Sequence, residues 1–447
     1  MMSKKSSGRV SSDELRTPKS GKAFPVILFC ILAVSAGAVV RTSAQRSAQG
    51  SDTSTVAARN AALAAATNEV LQETSQLREL TVLRPVQSSA QSRAEIERMI
   101  IGNLDRETTP AEMHASEVTL KKLGLAPADF QLRPLIVRLL TEQVAGYYDP
   151  KAQQFHLADW IDIDGQKPIM AHELTHALQD QHFNLRRFEP WPKGDSDAEL
   201  AAHALIEGDA TLAMTMYVTS NPLRALAFIK SLTGTEAATE ELDKAPRALR
   251  ETLLFPYQEG LNWTRVVHQS GGWSEVSQAF TTLPQSTEQI LHPEKYFARE
   301  APAKISLPDI RLSLGRGWRQ IDSDVNGEWS FYLILDQFLK SAAMSRQAAA
   351  GWAGDRYDVY ENARGQSVYI SLSAWDTEKD AREFFDAYIK RAKLRYSNAR
   401  VISDEPARWL ARTSEGDVSV EIRGKRVLVF EGLLKTANRA ALWKLWS

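Results

Sequence analysis

The residues that carry chemistry most plainly are His172, Glu173 and His176, in the string His172-Glu173-Leu174-Thr175-His176. On a helix, positions four apart share one face a turn apart, so both imidazoles can reach one cation with Glu173 beside the first of them. That set suits hydrolysis. A zinc ion lowers the pKa of a bound water and polarises a carbonyl, while a neighbouring glutamate takes the proton and returns it to the leaving group. The expectation is a catalytic Glu173 and zinc as cofactor, against the plainer reading of a buried helix with unrelated polar residues. Ile169, Ala171, Leu174, Ala177 and Leu178 give such a helix an apolar backing, and Pro168 suits its first turn.

A catalytic zinc needs a third protein ligand, and two residues compete for the place. Glu207 lies in a second helical stretch, roughly Ala198 to Tyr217, in Leu205-Ile206-Glu207-Gly208-Asp209-Ala210-Thr211. This string resembles the segment that supplies the glutamate ligand in gluzincins, and Gly208 would let two backbones approach closely. The rival is His182, since His172 to His182 reads H-E-x-x-H-x-x-Q-x-x-H. That is metzincin spacing with Gln179 in place of the glycine whose positive φ turns the chain back to the metal. Glutamine there keeps the helix running, so the expected ligand set is His172, His176 and Glu207. Glu199 and His203, eight and four residues before Glu207, share its helical face and stand as alternative ligands or orienting partners, and Asp180 and Asp209 as further orienting partners.

Three downstream residues are candidate donors to the oxyanion of a tetrahedral intermediate: Tyr257, His292 and Tyr296. The alternative for each is helix capping or packing, and Ser286 followed by Glu288 and Gln289 does read as a helix start.

Around these motifs the chain resembles a family of largely uncharacterised bacterial zincin-like metallopeptidases. The resemblance spans about Glu142 to Phe297. It rests on Glu142-Gln143-Val144-Ala145-Gly146-Tyr147-Tyr148-Asp149-Pro150, on His172 to Phe183, on Glu207 to Thr211, and on Ser286 to Tyr296. It implies a zincin-like domain, mainly helical with a small edge sheet or hairpin, and a peptidase acting on peptide or protein substrates. It brings no substrate with it. Val144 to Tyr148 and Gln154 to Ala158 flank the turn former Asp149-Pro150-Lys151, which predicts a hairpin whose free edge could pair with an extended peptide.

The rest of the chain bounds the setting. With 54 basic and 55 acidic residues interspersed over 447 positions, it shows no electrostatic footprint for nucleic acid. Basic residues from Lys4 to Lys22 precede an apolar stretch, 23–40, followed by small residues, which reads as an export signal or an N-terminal membrane anchor over 1–44. The protein is thus expected to be exported, with possible single-span membrane association. The one cysteine, Cys30, lies in that stretch, so the exported part has no disulfide to rely on.

Residues 45–76 are rich in Ala, Ser, Thr and Gln and read as a tether. The metallopeptidase domain is expected over 77–305, with amphipathic helices at Arg93 to Leu104 and Ala111 to Leu123. Over 306–447 the pattern predicts an α+β domain without a catalytic signature, so the overall class is α+β. Its parts are a long helix from Val325 to Ala349, strands at Tyr357–Glu361, Ser367–Ala374, Arg408–Arg412, Val418–Ile422 and Val427–Glu431, and a helix from Glu378 to Tyr396. Two functions remain: a zinc peptidase acting on exported or envelope proteins, or a zincin-like fold serving as a binding or envelope-maintenance module with slow or no turnover. Glu173 favours the enzyme.

Overall fold

The computed structural model describes residues 53–188, 191, 194–232, 240–438, 442 and 445–446. The apolar stretch 23–40 and the export reading lie outside them. Among the described residues no helix is long and apolar enough to cross a membrane.

The chain opens with helix α1 (Thr53–Arg78), strand β1 (Gln87–Gln91) and helices α2 (Arg93–Glu107), α3 (Pro110–Lys122) and α4 (Leu132–Gln143). Next come the hairpin β2 (Gly146–Asp149) and β3 (Gln154–Ala158), the metal-motif helix α5 (Lys167–Phe183), α6 (Ser196–Thr219), α7 (Pro222–Leu232), α8 (Glu240–Lys244) and α9 (Arg247–Ala279). Short helices α10 (Thr287–Leu291), α11 (Pro293–Phe297) and α12 (Arg311–Leu314) lead into the last third. That part holds β4 (Trp318–Asp324), α13 (Gly327–Leu339), α14 (Ala342–Ala349), β5 (Trp352–Asn362), β6 (Ser367–Trp375), α15 (Glu378–Arg395), β7 (Arg400–Glu405), β8 (Arg408–Thr413), β9 (Gly416–Arg423) and β10 (Arg426–Leu433). The class is α+β, as expected.

Local signals explain several boundaries. Ser92 with Glu95 and Thr109 with Glu112 form capping boxes that start α2 and α3, and Pro110 fits the first turn of α3. Helix α5 ends where Asn184 adopts left-handed φ/ψ, and α6 starts where the Asp195 side chain accepts from the Ala198 N–H.

The tether expected over 45–76 is, from Thr53 onward, helix α1, and it is packed. Its buried residues are Leu63, Ala66, Thr67, Val70, Leu71, Thr74 and Arg78, a stripe at helical spacing in which Ala66, Thr67 and Thr74 are small. They meet Phe155 and Leu157 of β3 and Met170, Ala171, Leu174 and Leu178 of α5. The folded part therefore begins well before residue 77, because close packing needs shape match as much as bulky side chains.

The hairpin forms with Tyr148 opposite Phe155, but β3 is not an edge. Strand β1 pairs parallel with its other side, giving the order β1-β3-β2 and leaving β2 as the edge nearest the hairpin turn. The single helix expected from Val325 to Ala349 is two, α13 and α14, broken at Lys340, whose φ of 50° is left-handed. The seven-stranded sheet runs β4-β5-β6-β10-β9-β8-β7, every neighbouring pair antiparallel.

The boundary at 305/306 separates two sets of elements that share one large core, and a second apolar cluster around Tyr360, Ile370 and Phe430 lies wholly in the last third. One apolar cluster runs from Ile96 of α2 through α6 and α9 to Trp329, Trp352 and Trp375, and on to Val429 of β10. Arg391 and Arg395 of α15 donate to the carbonyl oxygens of Leu123 and Lys122, tying the last third to the C-terminal end of α3.

Candidate metal centre

Helix α5 places His172 and His176 one turn apart on the face turned toward α6, and Glu207 of α6 meets them. The two Nε2 atoms are 3.2 Å apart, and Glu207 Oε2 lies 3.1 Å from His172 Nε2 and 3.5 Å from His176 Nε2. All three residues are buried, at 3%, 2% and 2% exposure. These distances can be tested against an ion. Donors about 2.0–2.1 Å from a tetrahedral zinc would stand about 3.3–3.4 Å from one another. The observed triangle, with edges of 3.2, 3.1 and 3.5 Å, fits that spacing.

Electrostatics at the triangle agree with a place for a cation. Burial works against the Glu207 charge, yet the adjacent imidazoles outweigh it and bring its carboxyl down to about 2. Burial likewise opposes a charge on His176, but Glu207 dominates and raises it to about 9, while burial keeps His172 below its usual value. The three side chains thus hold together around one shared positive charge. Glu173 is different: burial lifts its carboxyl to about 8.

Glu173 is 1% exposed, and its Oε2 accepts from the Tyr148 N–H of edge strand β2 at 2.9 Å. The Tyr148 hydroxyl donates to Asp180 Oδ2, also on α5, at 3.0 Å. The edge strand is therefore fastened to the metal-motif helix at two points, one of them the expected proton-transfer residue.

His182 does not join the triangle. Helix α5 runs unbroken through Gln179 to Phe183, and the His182 Nε2–H donates to the Thr81 carbonyl at 2.8 Å. Glu199 and His203 are buried on α6 but do not belong to the converging group. Asp180 holds Tyr148, Arg84 and the Leu185 N–H and so does not orient a histidine.

Gln179, which sequence reasoning treated only as the interruption of a metzincin pattern, does orient one. Its Oε1 lies 2.8 Å from His176 Nδ1, and its Nε2 donates to the Ile206 carbonyl at 3.0 Å and to Asp209 Oδ2 at 2.9 Å. The available signal was its position three residues after His176, on the same face.

The close approach expected of Gly208 occurs, but against α9 and not against α5. A Cβ on Gly208 would lie 2.2 Å from the Gly260 carbonyl oxygen, and one on Gly260 would lie 2.3 Å from that of Ala204. This crossing fixes Glu207 beside Gly208, and it also brings Tyr257, one turn before Gly260, to the site. The Tyr257 ring stacks toward His172 with centroids 6.1 Å apart at 29°.

His292 and Tyr296 are elsewhere. Thr287 of α10 donates to Asp197, ten residues before Glu207 and so about 15 Å away along α6. Five residues on, His292 Nε2 pairs with Glu328 of α13 at 3.0 Å, and the Tyr296 hydroxyl donates to the Thr282 carbonyl. Both link α10 and α11 to their neighbours, so the oxyanion role expected of His292 is not supported by its position. A second group of carboxylates, Glu288, Glu300 and Asp376, surrounds the Lys295 ammonium at 2.7, 2.8 and 2.5 Å. That cation already satisfies them, and the cluster anchors α11 to the segment after β6.

Of known families, a domain of unknown function (DUF8575) matches residues 314–441, which contain the whole seven-stranded sheet. No curated protein and no solved structure matches the chain.

Proposed function

We propose that the protein is a zinc-dependent peptidase of the gluzincin type, with His172, His176 and Glu207 as metal ligands and Glu173 as the general base. The observation that carries this reading is the donor triangle, whose edges suit one tetrahedral zinc and which lies one residue from a buried carboxyl. Zinc held there would supply Lewis acidity, making a water nucleophilic near neutral pH and polarising a peptide carbonyl.

The protein's own groups do the rest. Glu173 takes a proton from the attacking water and delivers it to the leaving nitrogen, and a carboxyl raised toward neutrality by burial is matched to both halves of that task. The Tyr148 N–H holds one carboxylate oxygen, Oε2, and so limits rotation of the side chain. Tyr257, stacked toward His172, is the remaining candidate for stabilising the developing oxyanion with its phenol. The apolar stretch 23–40 supports substrates among exported or envelope proteins.

The test is cleavage of unstructured casein-derived peptides by the purified zinc-loaded chain, with Glu173→Gln as control. The wild type should cleave, and the variant should keep its zinc while turnover falls by about 10²–10⁴. A wild type that binds zinc stoichiometrically but cleaves nothing would favour the binding-module reading, and a fully active Glu173→Gln would remove the assigned base.

A further inference from the structure

Histidine can present a lone pair at Nε2 only when a neutral ring carries its hydrogen on Nδ1, so whatever faces Nδ1 decides whether the ring is a ligand. At His176 that partner is the Gln179 side chain, and the way the amide points is determined by its other contacts. Its outer end meets the Ile206 carbonyl and the Asp209 carboxylate, both pure acceptors, at 3.0 and 2.9 Å. The NH₂ group must occupy that end, since the flipped amide would set oxygen against two acceptors. The carbonyl end therefore faces His176 Nδ1 at 2.8 Å and can only accept. Nδ1 carries a hydrogen, which leaves Nε2, facing His172 and Glu207, as the nitrogen that can present a lone pair to a metal.

Asp209 is held in turn. Arg78, at the end of α1, pairs with both of its oxygens through Nε and Nη2, and both side chains are fully buried. The Ser277 hydroxyl lies 3.2 Å from Arg78 Nη1, and the Trp273 ring lies 4.3 Å from the guanidinium carbon, so α9 closes the other side of the arginine. Three elements thus meet in one line of hydrogen bonds running from Arg78 on α1 to Asp209 on α6 and to Gln179 and His176 on α5, with α9 packed beside it.

We infer that Arg78, Asp209 and Gln179 form a positioning relay that locks His176 in its metal-binding tautomer, so that the N-terminal helix α1 sets the affinity of a site none of its residues touches. The inference rests on the metal reading above and adds residues to it. Partners of this kind change metal affinity about 10–100-fold when lost.

Asp209→Asn is the sharpest probe, because it is nearly isosteric and touches no ligand. Arg78 Nε bonds Oδ1 while Gln179 and Arg78 Nη2 bond Oδ2, so the single oxygen of the new amide cannot serve both positions; kept at Oδ1 for Arg78 Nε, it sets its NH₂ against that of Gln179. Gln179 is driven to flip, its NH₂ then faces His176 Nδ1, and the ring must place its hydrogen on Nε2, where it blocks the metal. Gln179→Leu removes the acceptor outright. Combining Gln179→Glu with Asp209→Asn restores an acceptor at His176, a donor to it from position 209, and the net charge, leaving only the Ile206 carbonyl without its donor.

The full-length chain, stripped of metal, is titrated with zinc against a competing chromophoric chelator and with cobalt(II) for its visible spectrum. The melting temperature of each metal-free form is recorded alongside. Both single variants should bind zinc about 10–100-fold more weakly with an altered cobalt spectrum, and the double variant should recover part of the loss. Single variants with wild-type affinity and spectrum would overturn the relay while leaving the metal centre standing. So would losses that follow the melting temperature alone and are not rescued in the double variant. A wild type that takes up no zinc would overturn the metal reading itself, and the relay with it.

Discussion

Gly208→Ala puts the placement of Glu207 under direct strain. The added Cβ would lie 2.2 Å from the Gly260 carbonyl oxygen, 2.4 Å from its carbon and 2.6 Å from Thr264 Oγ1. Two of those atoms are backbone and cannot swing aside, so α6 and α9 must part by about 1 Å to regain ordinary contact. Overpacking of this kind costs about 1–3 kcal/mol, and rigid neighbours put the cost near the top of that range. Alanine recovers about 1 kcal/mol of helix propensity, leaving a net loss of about 2 kcal/mol. Glu207 is the adjacent residue, and a shift of about 1 Å in a triangle with 3.1–3.5 Å edges should also weaken zinc binding at least about tenfold. Gly102→Ala in α2 is the control, since its Cβ would meet only the end of the Arg106 side chain at 3.5 Å, and there the same exchange should stabilise by up to about 1 kcal/mol. Urea unfolding of the metal-free forms and chelator competition for zinc read the two effects separately. A Gly208→Ala variant as stable as the wild type with full zinc affinity would refute the crossing as what positions Glu207.

Glu207→Ala should lose zinc on dialysis against a weak chelator, since two histidines leave the ion short of three protein ligands, whereas His182→Ala should retain a full equivalent. Tyr257→Phe should keep zinc affinity but lower kcat by about 10²–10³ if its phenol stabilises the oxyanion, and an unchanged kcat removes it from the site. Glu431 is fully buried between Arg391 and Arg395, which outweigh the effect of burial and hold its carboxyl down to about 2. A carboxyl depressed on folding contributes stability that is present above its unfolded pKa and lost as pH falls through the folded value. Urea unfolding should therefore show about 3 kcal/mol lost between pH 4.5 and 2 from this residue, a component that should vanish in Glu431→Gln.

Much of the candidate metal centre was legible because its logic is local. His172, Glu173 and His176 need only one helical turn, and Glu207 stood in a second helix with a glycine beside it that proved to lie at a tight crossing. What escaped depends on contacts between distant elements. Residues 45–76 looked like a tether because Ala66, Thr67 and Thr74 make up three of the seven buried positions of α1, and Arg78 gave no sign that it would be buried against Asp209. His292 carries the right chemistry, yet its place is set by Thr287 docking on Asp197, far along α6 from Glu207. Strands β1 and β7 were missed because Gln87–Gln91 has almost no apolar residue and β7 is an exposed edge whose alternation is weak. The break between α13 and α14 falls at Lys340, a non-glycine residue in left-handed conformation that composition does not announce.

The most direct measurement is a zinc titration of the metal-free chain that follows bound metal and peptide hydrolysis in the same samples. Binding should saturate at one zinc per chain, hydrolysis should rise in proportion and level off at the same point, and Glu207→Ala should show neither. Hydrolysis that is present before zinc is added, or zinc uptake undiminished in Glu207→Ala, would contradict a metal centre built from His172, His176 and Glu207.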